Sequence, residues 1–322
     1  MDLIDEKGYK ETMTKEVLPY LKAREKTGYF SRIPGQSIYY RAYAADDAKA
    51  DLVLLHGFTE GVDKFNETTL YFLKEGFNVW QMQQRGHGMS YRETDDPSLV
   101  HIRDYKDLIE DLHYFVHDIM PDRSGISPLP LYLYAHSMGG CVSALYLETY
   151  PKDFKKAVLS SPMLELDGGD TPIFLANIYA LFMILTGRGK HYLPGTKPFD
   201  PHPDFEGSSS TSRERYEYWF DTVLSREDYH TCAPSMATAR QFLKMTKKAV
   251  RKNSCSKIQA DVLLLQAEHD TVVRPGGQEE FIKNIGSLGH LIRIKGAKHE
   301  IYMSVNDIQN IYWKEILDFL SS

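Results

Sequence analysis

Cysteine is scarce in this chain: Cys141, Cys232 and Cys255 are spread over 322 residues. No CxxC pair and no Cys/His ligand spacing occurs, so neither a disulfide framework nor a zinc site is indicated. The three thiols read as buried or incidental groups in a reducing compartment. Charge of one sign is never massed. The net charge is −6, with no block of five or six like charges, which argues against nucleic-acid binding and suits a neutral or zwitterionic substrate. Long apolar runs are absent too. The longest, Ile173–Leu185, is broken only by Asn177 and falls short of the roughly 18–20 residues that span a bilayer. Thr171-Pro172 before it and Gly187 after it punctuate a short helix. Residues 1–16 hold no apolar stretch and no cleavage site, so no signal peptide is expected and the location is read as cytoplasmic.

What remains is an ordinary globular composition, 42% hydrophobic and 25% charged, long enough for one large core or one domain with a sizeable insertion. Apolar runs at 52–55, 77–81, 131–134, 157–160, 262–266 and 291–294 read as buried strands. Between many of them lie helical patterns. The clearest aligns Tyr105, Leu108, Ile109, Leu112, Phe115, Val116 and Ile119 on one face. A second helix follows the run at 131–134, and a third closes the chain through Ile308, Ile311, Tyr312, Ile316 and Phe319. Strands alternating with amphipathic helices predict an α/β fold, with a mainly parallel central sheet and helices on both faces. Residues 37–43 supply an early antiparallel strand, and residues 1–27 an appended helix. The alternation fails over 163–256, which reads as an α-helical insertion in a core formed by 28–162 and 257–322.

Ala135-His136-Ser137-Met138-Gly139-Gly140 follows the run at 131–134 and precedes a helical pattern ending near Pro151. That is the strand, sharp turn and helix of a nucleophile elbow, where small neighbours relieve crowding around an exposed serine. Ala135 stands where the usual GxSxG pattern has its first glycine. A serine nucleophile needs a base near neutral pKa, and the base needs an acid to orient it. In a fold with this elbow, acid and base follow in chain order, on loops after the last two strands. Asp270 lies after 262–266 and His299 after 291–294, which makes them acid and base. Glu268, and then Glu165 or Asp167, are the competing acids. His56, His87, His136 and His269 lie near these loops and are expected to make structural hydrogen bonds. The oxyanion needs two fixed donors: the backbone N–H of Met138, after the serine, and that of Phe58, in the loop after the first parallel strand.

His56-Gly57-Phe58, Arg85-Gly86-His87-Gly88-Met89-Ser90, the elbow, Asp270-Thr271-Val272-Val273 and Gly296-Ala297-Lys298-His299-Glu300 together resemble the lysophospholipase and monoacylglycerol lipase branch of the α/β-hydrolases. Ser212-Arg213-Glu214-Arg215-Tyr216 is similar to the cap region of bacterial lysophospholipases, and Leu264-Leu265-Gln266-Ala267-Glu268 resembles the same group. The likeness runs from about residue 37 to the C-terminus. It implies the α/β-hydrolase fold, hydrolysis of a carboxylic ester of one long acyl chain, and an insertion that caps an acyl tunnel. The lysophospholipase reading comes first, with monoacylglycerol lipase or general carboxylesterase behind it.

The mechanism needs no metal and no organic cofactor. The partner is a small-molecule lipid ester, with no nucleic acid, and the oligomeric state is left open. An all-round apolar helix at Ile173–Leu185 must meet the core, an acyl chain or a membrane surface. Arg188 and Lys190 beside it are placed to meet headgroups, so transient contact with the inner membrane face is allowed for. Two rivals stand. An aminopeptidase would need an acidic pocket, for which Glu165, Asp167 and Asp170 are candidates, and a lipid-binding protein would use the scaffold without turnover.

Overall fold

The buried apolar runs become neighbouring strands of one eight-stranded sheet in the computed structural model, which describes residues 1–120, 129–167 and 173–322. In chain order the strands are β1 (Glu25–Phe30), β2 (Ile38–Tyr43), β3 (Ala50–Leu55), β4 (Phe77–Met82), β5 (Leu131–His136), β6 (Lys156–Ser160), β7 (Asp261–Ala267) and β8 (Gly289–Ile294). Across the sheet they run β1-β2-β4-β3-β5-β6-β7-β8. β2 is antiparallel to both its neighbours, and every other pairing is parallel. The sequence reading missed β1. Of its six residues only Phe30 is buried, so this edge strand carries no apolar alternation to read.

Both faces of the sheet are covered, which is why the central strands read as continuous apolar runs. On one face Val53, Leu55, Leu133, Ala135, Leu159 and Leu264 pack with the helices Lys106–Tyr114 and Ser137–Thr149. On the other face Leu52, Leu54, Tyr134, Val158 and Leu263 meet the helices Asn66–Lys74 and Asn306–Ser321. Successive residues of a strand thus feed opposite cores, as the twofold pleat requires. The last helix buries Tyr312, Trp313, Ile316 and Leu320, whereas Ile311, expected inside, is 49% exposed. Helical turns over residues 9–22 set Tyr9, Met13, Val17 and Leu21 against the second core.

Between β6 and β7 the chain leaves the sheet for the helices Ile173–Leu185, Arg213–Leu224 and Met236–Ala249. A two-residue strand, Ala233–Pro234, which the sequence did not signal, pairs in parallel with Leu99–Val100. Thr171-Pro172 lies outside the described residues. The segment resembling the lysophospholipase cap is an anchor: Ser212 caps the helix Arg213–Leu224 by accepting the Arg215 N–H, and the fully buried Arg215 side chain reaches Glu67 of the core at 2.8 Å.

Candidate active site

Parallel strands end at one edge of a sheet, and loops there are free to converge. β3, β5, β7 and β8 deliver residues 56–61, Ser137, Asp270 and His299 to that edge. The His299 Nε2 lies 2.9 Å from the Ser137 Oγ, and its Nδ1 lies 2.7 Å from the Asp270 Oδ2. Ser137 and His299 are buried, at 6% and 5% exposure. The sequence-predicted nucleophile, base and acid are thereby brought into one hydrogen-bonded line.

Local backbone geometry explains the elbow. Ser137 has φ +50°, a left-handed conformation costly for a residue with a side chain and frequent where strain serves a site. A Cβ on Gly139 would come within 2.6 Å of the His56 carbonyl oxygen and 2.7 Å of that of Leu55. Glycine there lets the helix Ser137–Thr149 press against the end of β3. Ala135, in the motif's first-glycine place, is a fully buried strand residue. Met138 sits in the first turn of that helix, where backbone N–H groups have no acceptor within the helix.

The Asp270 carboxylate accepts the N–H groups of Val272 and Val273, each at 2.9 Å. Burial pushes this carboxyl up, but the His299 imidazole and those two N–H groups outweigh it and hold Asp270 below its ordinary range. The competing acids are engaged elsewhere. Glu268 accepts the Gly296 N–H at 2.9 Å, Glu165 accepts the Gly277 N–H at 2.8 Å, and Asp167 pairs with Arg274 at 2.9 Å. Glu165 and Asp167 are thus already bound by partners of their own, and Asp170 lies outside the described residues.

The loop after β3 is held on both sides of Phe58. The Gly57 N–H donates to Glu60 at 2.5 Å and the Thr59 N–H to the His87 Nε2 at 3.2 Å. Thr59 itself has φ +60°. His56 accepts the Gln84 N–H at 2.9 Å, and the His136 Nδ1 lies 3.2 Å from the Ser160 carbonyl. Three of the four flanking histidines thus make structural hydrogen bonds. Burial pushes His56 and His87 below the ordinary value and His136 down to about 3, leaving all three neutral. His269 is exposed and lies 3.6 Å from Glu268.

Sequence reasoning missed a buried cluster behind the base. Lys64 contacts Glu60 at 3.1 Å and Glu300 at 2.6 Å, and Tyr302 donates to the same Glu60. Glu300 and Tyr302 lie in the turn that begins at His299, so this cluster ties the Phe58 loop to the loop carrying His299. The only advance signal was the i,i+4 spacing of Glu60 and Lys64.

An apolar cavity of about 500 Å³ lies within the insertion, lined by Leu166, Tyr179, Leu193, Phe242 and Leu243 among others. The Phe242 ring meets Phe58 edge-on, with centroids 5.1 Å apart. Among the described residues no helix is long and apolar enough to cross a membrane. Cys141 and Cys255 are buried, Cys232 is half-buried, and all three are free thiols.

Residues 46–306 match the Hydrolase_4 family model, described as serine aminopeptidase, S33. Lysophospholipase L2 of Escherichia coli (strain K12) is 27% identical over 311 residues, covering 90% of this chain and 84% of its own. Monoacylglycerol lipase of Mycolicibacterium smegmatis is 30% identical over 275 residues, covering 85% and 89%. Among solved structures, a soluble variant of monoglyceride lipase from Saccharomyces cerevisiae in complex with a substrate analog superposes with a TM-score of 0.71. It is 20% identical and covers 92% of this chain and 95% of its own, a likeness of fold. The chain belongs to the Hydrolase_4 family, in the lysophospholipase and monoacylglycerol lipase branch of the α/β-hydrolases, and is a carboxylic ester hydrolase.

Proposed function

We propose that Ser137, His299 and Asp270 are nucleophile, base and acid in the hydrolysis of a lysophospholipid, with monoacylglycerol as the second substrate class. The observation that carries this is the hydrogen-bonded line Ser137–His299–Asp270, at 2.9 and 2.7 Å, close to an apolar cavity whose wall residue Phe242 touches the Phe58 loop. His299 takes the Ser137 proton as the oxygen attacks the ester carbonyl. The N–H groups of Phe58 and Met138 receive the oxyanion, each worth roughly 2.7–4 kcal/mol of barrier. His299 then gives its proton to the departing alcohol and activates the water that releases the fatty acid. Asp270 holds the imidazole tautomer throughout. The insertion caps the acyl chain.

The same reading extends to the membrane surface. On the helix Ile173–Leu185, Phe174 is 70% exposed, Phe182 56% and Leu185 77%, a contiguous apolar face of the kind that marks a contact site. Arg188 is exposed beside it, whereas Lys190 is engaged with the Glu93 carbonyl at 2.6 Å. This face rests transiently on a lipid surface and draws single-chain esters from it.

Purified protein incubated in parallel with lysophosphatidylcholine and monoacylglycerol, with Ser137→Ala as control, decides the substrate by the fatty acid released. Faster release from lysophosphatidylcholine is expected, with loss of about 10⁴–10⁶-fold in the variant. Release from monoacylglycerol alone moves the enzyme to that side of the branch. Turnover of aminoacyl anilides with no ester hydrolysis would overturn the reading.

A further inference from the structure

The helix Lys106–Tyr114 runs on into a wider turn, Phe115–Ile119, so His113 and His117, four residues apart, lie on one face. Across from them stands Asp153, in the turn after the helix Ser137–Thr149. The His117 Nε2 is 2.9 Å from the Asp153 Oδ2, and the His113 Nδ1 is 3.8 Å from the same oxygen. One ligand atom from each of the three residues lies within 4.8 Å of the others. Ligands around a tetrahedral zinc ion, at bond lengths of about 2.0–2.1 Å, stand about 3.3 Å apart. The observed separations bracket that value, so small side-chain movements admit an ion.

The groups behind these ligands are arranged to hold them. Tyr146 donates its hydroxyl to the Asp153 Oδ2 at 2.5 Å and lies 3.3 Å from the His113 Nδ1. Tyr150 stacks on the His113 ring at 3.7 Å, nearly parallel, and its hydroxyl donates to Glu110 at 3.0 Å. A ring fixed by stacking and a carboxylate fixed by a phenol are the kind of outer support that orients metal ligands. His113 is half-buried and His117 exposed, which leaves an ion a path and a fourth position for water. Tyr146 lies nine residues after Ser137, or about 14 Å along the helix axis, so this cluster is separate from the hydrolytic chemistry.

We propose that His113, His117 and Asp153 form a peripheral site for one borderline divalent cation, Zn²⁺ or a metal of similar preference. Two imidazoles and one carboxylate suit zinc better than calcium or magnesium, which prefer all-oxygen shells. The ion clamps the helix Lys106–Tyr114 to the turn after Thr149, and the chain folds without it.

The full-length protein, freed of metal by chelator and dialysis, is titrated calorimetrically with Zn²⁺, and its Tm is followed with and without the ion. One saturable Zn²⁺ per chain and a higher Tm are expected. His117→Gln, at an exposed position, and Asp153→Asn should each weaken binding by about 100-fold, at or beyond the top of the range seen for loss of an outer-shell partner. His299→Gln should leave it unchanged, because the ion is not held at the Ser137 site. Co²⁺ bound to the unaltered protein should show the intense visible bands of low coordination, absent in His117→Gln. No saturable uptake, uptake that survives His117→Gln, or uptake lost in His299→Gln would each overturn the proposal.

Discussion

Phe242, carried by the helix Met236–Ala249, meets Phe58 of the loop after β3 edge to face, with ring centroids 5.1 Å apart. The pair couples the insertion to the residue whose N–H is proposed to face the oxyanion. Phe242 also lines the apolar cavity, so it has two separable roles. An edge-to-face contact is worth about 0.5–1.5 kcal/mol, or roughly 2–13-fold in rate where it is expressed in the transition state. Phe242→Ala is expected to lower kcat toward a short-chain ester by that factor, and to raise KM for a long-chain ester as well. Steady-state kinetics on both substrates separate the effects. An unchanged kcat on the short ester would reduce Phe242 to a cavity wall.

Arg215 and Glu67 hold the insertion to the core through two bonds, at 2.9 and 2.8 Å. The Glu67 carboxylate also accepts the Tyr9 and Tyr71 hydroxyls at 2.8 and 2.6 Å. Arg215 is fully buried and Glu67 nearly so. Removing one partner of such a pair leaves a charge in low dielectric, at a cost of about 3–5 kcal/mol. Arg215→Met is expected to lose that much stability in urea unfolding. The double variant Glu67→Gln/Arg215→Met should recover part of it, since the buried Glu67 charge is then removed as well and only the partly exposed Glu6 loses its contact with Arg215. A single-variant loss below about 1 kcal/mol would show that solvent reaches the pair.

Glu148 sits on the helix Ser137–Thr149 with 5% exposure. Its Oε2 has no hydrogen-bond partner among the described residues, and the Cys255 Sγ is 3.8 Å from its Oε1. Burial pushes this carboxyl up from 4.5 to about 8. Between those values the folded protein keeps a proton that the unfolded chain has lost. Stability therefore falls as pH rises through that window and levels off above it. Glu148→Gln removes the penalty while keeping the shape. Its Tm advantage should be small at about pH 5 and full at about pH 9, read by thermal unfolding across that range. An advantage independent of pH would assign the effect to packing.

The fold was legible where burial is two-sided. The inner parallel strands announced themselves as apolar runs because Leu52 and Val53, or Leu263 and Leu264, face opposite cores, whereas β8, at the far edge, buries only Ile294 and showed through the short run at 291–294. β1 was not legible, since an edge strand with one buried residue has no pattern to show. Chain order alone placed Ser137, Asp270 and His299 on loops at one edge, and the distances between them agree with that placement. The positive φ of Ser137 and Thr59 cannot be read from residue type. Nor can the Glu60–Lys64–Glu300 cluster, whose members are brought together by loops 236 residues apart. The spacing of His113 and His117 was visible, but Asp153 joins them only once two helices pack.

The helix Ile173–Leu185 supplies the last test, because its most exposed side chains, Phe174, Phe182 and Leu185, do not line the cavity. Leu175, Ala176, Tyr179 and Ala180 line the apolar cavity, whereas Phe174, Phe182 and Leu185 are solvent-facing and absent from that lining. Charging the outer set should therefore spare the interior. Burying an exposed apolar side chain gains about 1.5–3 kcal/mol, so three residues dipping into lipid would dominate a weak surface association. Phe182→Glu/Leu185→Glu is expected to lower co-sedimentation with phosphatidylcholine vesicles by at least about tenfold, the equivalent of 1.4 kcal/mol. Turnover of a water-soluble short-chain ester should stay within about twofold of the unaltered enzyme, and hydrolysis of vesicle-borne lysophosphatidylcholine should fall in step with vesicle binding. Equal vesicle binding by both proteins would mean that this face serves some contact other than lipid. A parallel loss of soluble-ester turnover would mean that the outer residues shape the cavity after all.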